Sequence, residues 1–351
     1  MNQGLLFSRI FICLAAVFVT TIAVAEDLSY ELLDAANSGK TDAVIQALSR
    51  GADVESKTST GATALALAVN GGFTVTAKAL LDNGASLSSR TVEGATILMF
   101  AAQSGHASTV ELLVNGGAEV NAIKDDGWTA LMLAAQNGHE QTVAALLKNG
   151  ADTAPQGVTG STALTAAAQR GHTAIVRALL DGGAAIDIQA NDGGSALMLA
   201  AQNGHLATLE LLIARGANVE LHDANGRTAL IAAAHAGQTE VVRALVEGKA
   251  NVNASLEDGT TALFVTAFGG NLEIVNTLLA NGADIDARVR GGWTPLMVAS
   301  QTGHVAVVEA LIEHGADVNA VTEGGASALD IAQQTGQSEV VKFLEQAGVT
   351  P

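Results

Sequence analysis

The chain has 351 residues, of which 48% are hydrophobic, 3% aromatic and 15% charged, with 38 Gly, 3 Pro and 1 Cys. So few aromatic side chains mean a core assembled from many small contacts, and the high apolar and low charged fractions exclude an intrinsically disordered chain. Seventeen basic against 35 acidic residues leave a formal net charge of -18, which repels phosphate backbones and argues against nucleic acid as a partner.

The first element in chain order is a leader. Met1 to Arg9 carries one positive charge, Ile10 to Val24 is apolar apart from Thr20 and Thr21, and Ala23-Val24-Ala25 precedes Glu26. The apolar run is shorter than the roughly 20 residues a membrane-spanning helix needs. Small residues stand where a signal peptidase would cut, so residues 1–25 are expected to be a secretory signal peptide cleaved between Ala25 and Glu26. A retained anchor is the alternative. Cys13, the only cysteine, lies inside this run, preceded by bulky Phe11 and Ile12 instead of the small residues of a lipoprotein signal. A mature chain starting at Glu26 has no disulfide and no thiol nucleophile. It is expected to be periplasmic or secreted and free of the membrane.

Beyond the leader the chain is periodic. Leu65, Leu98, Leu131, Leu164, Leu197, Leu230, Leu263, Leu296 and Leu329 follow one another at 33 residues, each four residues after a Gly, with no insertion. One step further back gives Leu32, with Gly39 aligned to Gly72, although Leu28 replaces the leading Gly. The reading is ten units: an N-terminal cap over 26–60, eight consecutive repeats over 61–324, and a C-terminal cap over 325–351.

Within a unit, a Gly-led turn is followed by Thr or Ser, from Thr63 to Ser327, placed to cap a helix. Pro295 stands once at the first helical position, where its missing N–H costs nothing. Residues such as Leu133, Ala134 and Ala135 predict a short Ala-rich helix ending near Gly138. Val143, Leu146 and Leu147 predict a second helix over Glu140 to Lys148, closed by Gly150 in the left-handed conformation. At the end of the sixth of the nine in-register units, Lys249 stands where the others place that Gly, so strain or a shifted turn is expected there.

The unit Gly127-Trp128-Thr129-Ala130-Leu131, then Ala134-Ala135, Gly138-His139, Leu146-Leu147 and Gly150-Ala151-Asp152, resembles the ankyrin repeat, and the resemblance covers about Leu28 to Gly348. It implies an all-α solenoid of L-shaped helix-turn-helix units with hairpin-like fingers, curved around a concave protein-binding face. The implied activity is non-covalent protein binding by a scaffold or adaptor, without catalysis, metal or cofactor. No unit carries the family's His in the fourth place of Thr-Pro-Leu-His. Met99, Met132, Met198 and Met297 stand there, either as an adaptable groove or as packing between units.

Five histidines, His106, His139, His172, His205 and His304, recur after the Gly that closes the first helix. Neighbours roughly 10 Å apart cannot share an ion, and the resemblance implies a hydrogen-bonding role in the Gly-His turn. Gly39-Lys40-Thr41 mimics a phosphate loop, but Asp34 occupies the place of the required earlier Gly and the pattern around it is helical. Finger-tip carboxylates, Asp125 and Asp126 among them, suit turns and solubility. Their negative field also favours a basic partner.

The candidate binding residues are a row at the end of the first helix, with Gln103, Gln136, Gln169, Arg170, Gln202, Asn203 and Gln301, and the two tryptophans, Trp128 and Trp293, at the finger bases. Other units fill the Trp position with Ala, Ser, Gly, Arg or Thr, so the stack does not require Trp, and exposed Trp is a common interface anchor. The expected protein is a monomer that binds a protein partner. The alternatives are a secreted effector acting on host proteins, which needs a further secretion route, and a repeat-built enzyme, which needs a convergent polar cluster that the period does not offer.

Overall fold

A computed structural model describes residues 27–347. The expected leader, with its cut between Ala25 and Glu26, lies outside the described residues. Twenty helices and no strands are present among them, and the chain divides between Pro155 and Gln156 into two compact units.

The first unit holds α1 (27–37), α2 (Thr41–Ser49), α3 (Ala64–Asn70), α4 (Thr74–Asp82), α5 (Ile97–Gln103), α6 (Ala107–Asn115), α7 (Ala130–Gln136) and α8 (Glu140–Lys148). The second holds α9 (Ala163–Gln169), α10 (Thr173–Asp181), α11 (Ala196–Gln202), α12 (Leu206–Ala214), α13 (Ala229–His235), α14 (Thr239–Glu247), α15 (Ala262–Gly269), α16 (Leu272–Ala280), α17 (Pro295–Thr302), α18 (Val305–Glu313), α19 (Ala328–Gln334) and α20 (Ser338–Gln346). In each unit, first helices pack on first helices and second on second: α3 on α5 and α5 on α7, α4 on α6 and α6 on α8, then α9 on α11 through to α17 on α19 and α10 on α12 through to α18 on α20. That is the expected all-α solenoid arrangement within each unit.

The first helices start where the hydroxyl pattern places them. Thr63, Thr96, Thr129, Thr162, Ser195, Thr228, Thr261, Thr294 and Ser327 each accept the backbone N–H three residues on. Those oxygens satisfy donors that a helix start otherwise leaves open, typically worth about 1 kcal/mol each. Pro295 opens α17. The second helix predicted over Glu140 to Lys148 is α8, with Val143 and Leu146 fully buried. The expected fingers are turns closed by single antiparallel bridges, such as Lys57 to Thr63, Gln189 to Ser195 and Ser255 to Thr261.

The core is the repeated leucine set. Leu65, Leu98 and Leu131 in the first unit and Leu164, Leu230, Leu263 and Leu296 in the second are at most 2% exposed. Met99, Met132, Met198 and Met297 are buried beside them, so the methionines pack between helices and no Met-lined groove is presented. The last repeat ends the stack with polar side chains. Gln333, where the repeats led by Gly94 through Gly292 place a buried Ala or Ser, is exposed.

Repeats are also tied by polar joints invisible in the period alone. Glu55, Asp187, Glu220 and Asp286 accept the backbone N–H of Ser86, Asn218, Asn251 and Asp317 in the next repeat at 2.7, 2.9, 2.8 and 3.0 Å. Asn121 and Asn253 do the same for Asp152 and Asp284 at 2.8 and 2.7 Å. A second joint pairs hydroxyls: Thr41 with Thr76, Thr74 with Thr109, and Thr173 with Thr208, each at 2.7 Å. Thr142 holds the same buried place as Thr76 and Thr109, but its partner position is Ala107 and its Oγ1 has no hydrogen bond. A buried unpaired hydroxyl costs about 1 to 3 kcal/mol. Ala107→Thr is therefore expected to stabilise the first unit by about 1 kcal/mol, measured as slower hydrogen exchange in α6 and α8. Unchanged exchange would show that Thr142 does not need that partner.

Among the described residues Lys249 is the one non-glycine with positive φ, at 65°, and Gly248 before it sits at φ -72°. Gly248 does not take over the turn; Lys249 adopts the left-handed conformation that Gly216 and Gly282 hold in the flanking repeats. Lys249→Gly is expected to stabilise the α13–α16 region by roughly 0.5 to 1 kcal/mol through relief of that strain. Hydrogen exchange around α14 and α16 checks it, and faster exchange would refute it.

Candidate functional site

The His row is a joint between repeats. His106 Nε2 meets the carbonyl oxygen of Asn70 at 3.0 Å, His139 that of Gln103 at 2.9 Å, His205 that of Gln169 at 3.0 Å and His304 that of Phe268 at 3.1 Å. A carbonyl only accepts, so Nε2 carries the proton. The bond reaches the preceding repeat instead of staying inside the Gly-His turn. Gln337 makes the same joint without an imidazole, donating Nε2–H to the Gln301 carbonyl at 3.0 Å. Each ring lies against the left-handed Gly of the repeat before it. A Cβ on Gly72, Gly105, Gly171 or Gly270 would fall about 2.5 to 2.6 Å from the ring of His106, His139, His205 or His304. No cluster of three metal-ligating side chains occurs among the described residues.

This joint engages the row at the end of the first helices through its backbone. At Asn70, Gln103, Gln169, Phe268 and Gln301 the carbonyl is the atom the joint uses. Gln103, Gln169, Arg170, Gln202 and Asn203 are exposed, whereas Gln136 and Gln301 are half-buried. Gln103 and Gln136 lie in the first unit with Asp125, Asp126 and Trp128; Gln169, Arg170, Gln202, Asn203 and Gln301 lie in the second with Trp293. In this row the second unit also places Phe268, 56% exposed, in a chain with almost no aromatics to spare. A search for recurrence passes over Phe268 because it breaks the Gln series. That break was the available signal, as it was for the tryptophans.

Both tryptophans are half-buried, not exposed as the sequence reading supposed. Trp128 is held through its backbone: its N–H donates to Asp126 Oδ1 at 3.1 Å and its carbonyl accepts from Lys124 N at 3.0 Å. Trp293 closes its finger through a backbone bond from Val289 N at 3.0 Å. Backbone anchoring of this kind is indifferent to the side chain, which agrees with Ala, Ser, Gly, Arg and Thr at the same position in other repeats.

The finger carboxylates divide into two sets. Asp126, Asp192, Asp223 and Asp258 each accept the backbone N–H two residues on, at 3.1, 2.9, 2.8 and 2.9 Å, so they build the turn. For Asp126, burial raises the pKa, but hydrogen bonds from the Lys124 ammonium and the Trp128 N–H outweigh it, and the carboxyl falls below its usual 3.8. Asp223 is lowered in the same way: burial opposes, and the Arg227 N–H and guanidinium prevail. Asp258 is lowered chiefly by hydrogen bonds from Thr260. Asp125 belongs to the other set. It is exposed, and its N–H donates to the Glu93 carbonyl of the finger before it at 3.1 Å.

Paired short helices on a 33-residue period, joined repeat to repeat by imidazole, hydroxyl and carboxylate contacts, define a helical-repeat protein that presents a surface. The family model described as "Ankyrin repeats (3 copies)" matches residues 32–124, 87–157, 116–192, 152–223, 197–289 and 286–351, and the chain belongs to the ankyrin-repeat family. Ankyrin repeats are protein–protein interaction modules and typically non-enzymatic. Comparison with curated proteins finds no match to this chain. No helix among the described residues is long and apolar enough to cross a membrane.

Proposed function

We propose that this chain is an exported scaffold or adaptor that holds a protein partner non-covalently through the first-helix row and the finger bases. The observation that supports the reading is a division of labour within the repeat. The recurring residues are committed to the fold: capping hydroxyls, core leucines and His joints. The residues that break the recurrence, Trp128, Trp293 and Phe268, sit where the backbone bonds are already made and where other repeats stack without an aromatic. Aromatic side chains in such positions carry large apolar area at little entropic cost, the usual makeup of an interface anchor.

The partner we infer has a basic surface, because the chain's net charge of -18 favours approach of cations. The apolar leader with its small-residue cut site supports export, to the periplasm or beyond, and a mature chain without a membrane anchor. Capture of the partner by wild-type protein and by Trp128→Ala and Trp293→Ala variants tests the reading. Intact mass of the exported protein tests the start at Glu26.

A further inference from the structure

Eight Asn-Gly pairs occur in the chain, at Asn70, Asn83, Asn115, Asn137, Asn149, Asn203, Asn225 and Asn281. Asn-Gly is the dipeptide most open to spontaneous deamidation, since Gly places no side chain in the way of ring closure. The backbone nitrogen of the Gly attacks the Asn Cγ, its proton departs and ammonia leaves, giving a five-membered succinimide. Water then opens the ring to aspartate or isoaspartate. The step requires a free side-chain amide and a backbone able to leave its native geometry.

The fold sorts the eight pairs by these requirements. Asn83, Asn137, Asn149, Asn203 and Asn281 each donate Nδ2–H to the carbonyl four residues back, Ala79, Leu133, Ala145, Leu199 and Thr277, all at 2.8 Å. That bond holds the amide against its own helix and away from the following nitrogen. Asn70 and Asn115 are the last residues of α3 and α6, and the next amides, Gly71 and Gly116, donate into the helix to Leu67 and Leu112 at 3.1 and 3.0 Å. Closing a succinimide there means unwinding a helical turn. Asn225 alone stands away from a helix end. It is exposed at the tip of a finger, its side-chain amide has no partner, and one turn bond, Gly226 N–H to the Asp223 carbonyl at 2.9 Å, restrains the attacking nitrogen. Opening one exposed turn bond costs far less than fraying a packed helix end.

We propose that Asn225 is the site of spontaneous deamidation in the folded protein, with succinimide formation on Gly226 and aspartate or isoaspartate as product. The new carboxylate stands beside Asp223, and an isoaspartate lengthens the main chain next to Ala224, whose N–H donates to the Asp192 carbonyl of the preceding finger at 2.8 Å. Ageing therefore alters one finger of the second unit and leaves the helix joints intact.

The test is peptide mapping after prolonged incubation of the purified full chain at mildly alkaline pH, with a urea-unfolded sample run alongside. The expected result is acid conversion at Asn225 ahead of the other seven pairs in the folded sample, and conversion spread over all eight in urea. Asn225→Gln should remove the early acidic species while the others stay slow. Earlier conversion at any helix-end pair overturns the proposal, as does an Asn225 as slow as they are.

Discussion

Trp128→Ala and Trp293→Ala are each expected to leave the melting temperature nearly unchanged and to weaken partner capture by about 2 kcal/mol or more, roughly thirtyfold. The stability half of this expectation comes from the repeat itself. Ala62, Ala95 and Ala326 occupy the equivalent position, and their fingers form the same turn bonds, from Thr58 to Ala62, Thr91 to Ala95 and Thr322 to Ala326 at 2.9, 3.0 and 3.0 Å. The affinity half comes from the half-buried setting. A half-buried ring has less freedom to lose on binding than a fully exposed one, so the entropic cost at that site is small. Because the tryptophans belong to different units, each variant reports on one of them. Phe268→Gln completes the set, since it restores the residue usual in that row and removes an exposed aromatic. If the Trp variants melt markedly earlier, the rings are packing elements. If all three variants stay folded and capture the same proteins as well as wild type, the binding surface lies elsewhere.

Gly105→Ala should destabilise the first unit by about 3 kcal/mol. Gly105 has φ +78°, and the left-handed region costs a residue with Cβ roughly 1 to 2 kcal/mol. Its new methyl would also lie 2.5 Å from His139 Nδ1. The ring has little freedom to retreat, because its Nε2–H is bonded to the Gln103 carbonyl at 2.9 Å. Either the methyl stays overpacked, at about 1 to 3 kcal/mol, or the joint breaks, at about 0.5 to 1.5 kcal/mol. Gly117→Ala isolates the backbone contribution, since Gly117 has φ +94° and no atom within 4 Å of a Cβ. It should cost about 1 kcal/mol. Hydrogen exchange in α5 to α8 is the suitable measurement, because repeat arrays open locally and one global unfolding energy would average the effect away. Equal losses in the two variants would show that the His139 contact adds nothing.

How much was legible without coordinates follows from the range of each interaction. The helix starts, the second helix over Glu140 to Lys148, the leucine core and the strain at Lys249 were all readable, because each depends on residues within one 33-residue period and the period repeats them in phase. The turn-building role of Asp126 was readable for the same reason, its partner being two residues away. The His and carboxylate joints were not, although their residues recur visibly. Their acceptors and donors lie 36 and 31 residues away, and only stacking decides whether an imidazole turns back to its own turn or across to the previous repeat. Burial was likewise undecided. Met99 could have lined a groove, Trp128 could have stood clear of its neighbours, and Phe268 could have been core, since side chains of one periodic position face neighbours that the period does not name. Composition and period determined which elements form and how they recur. Packing of one repeat on the next decided which side chains the fold buries and which it leaves exposed.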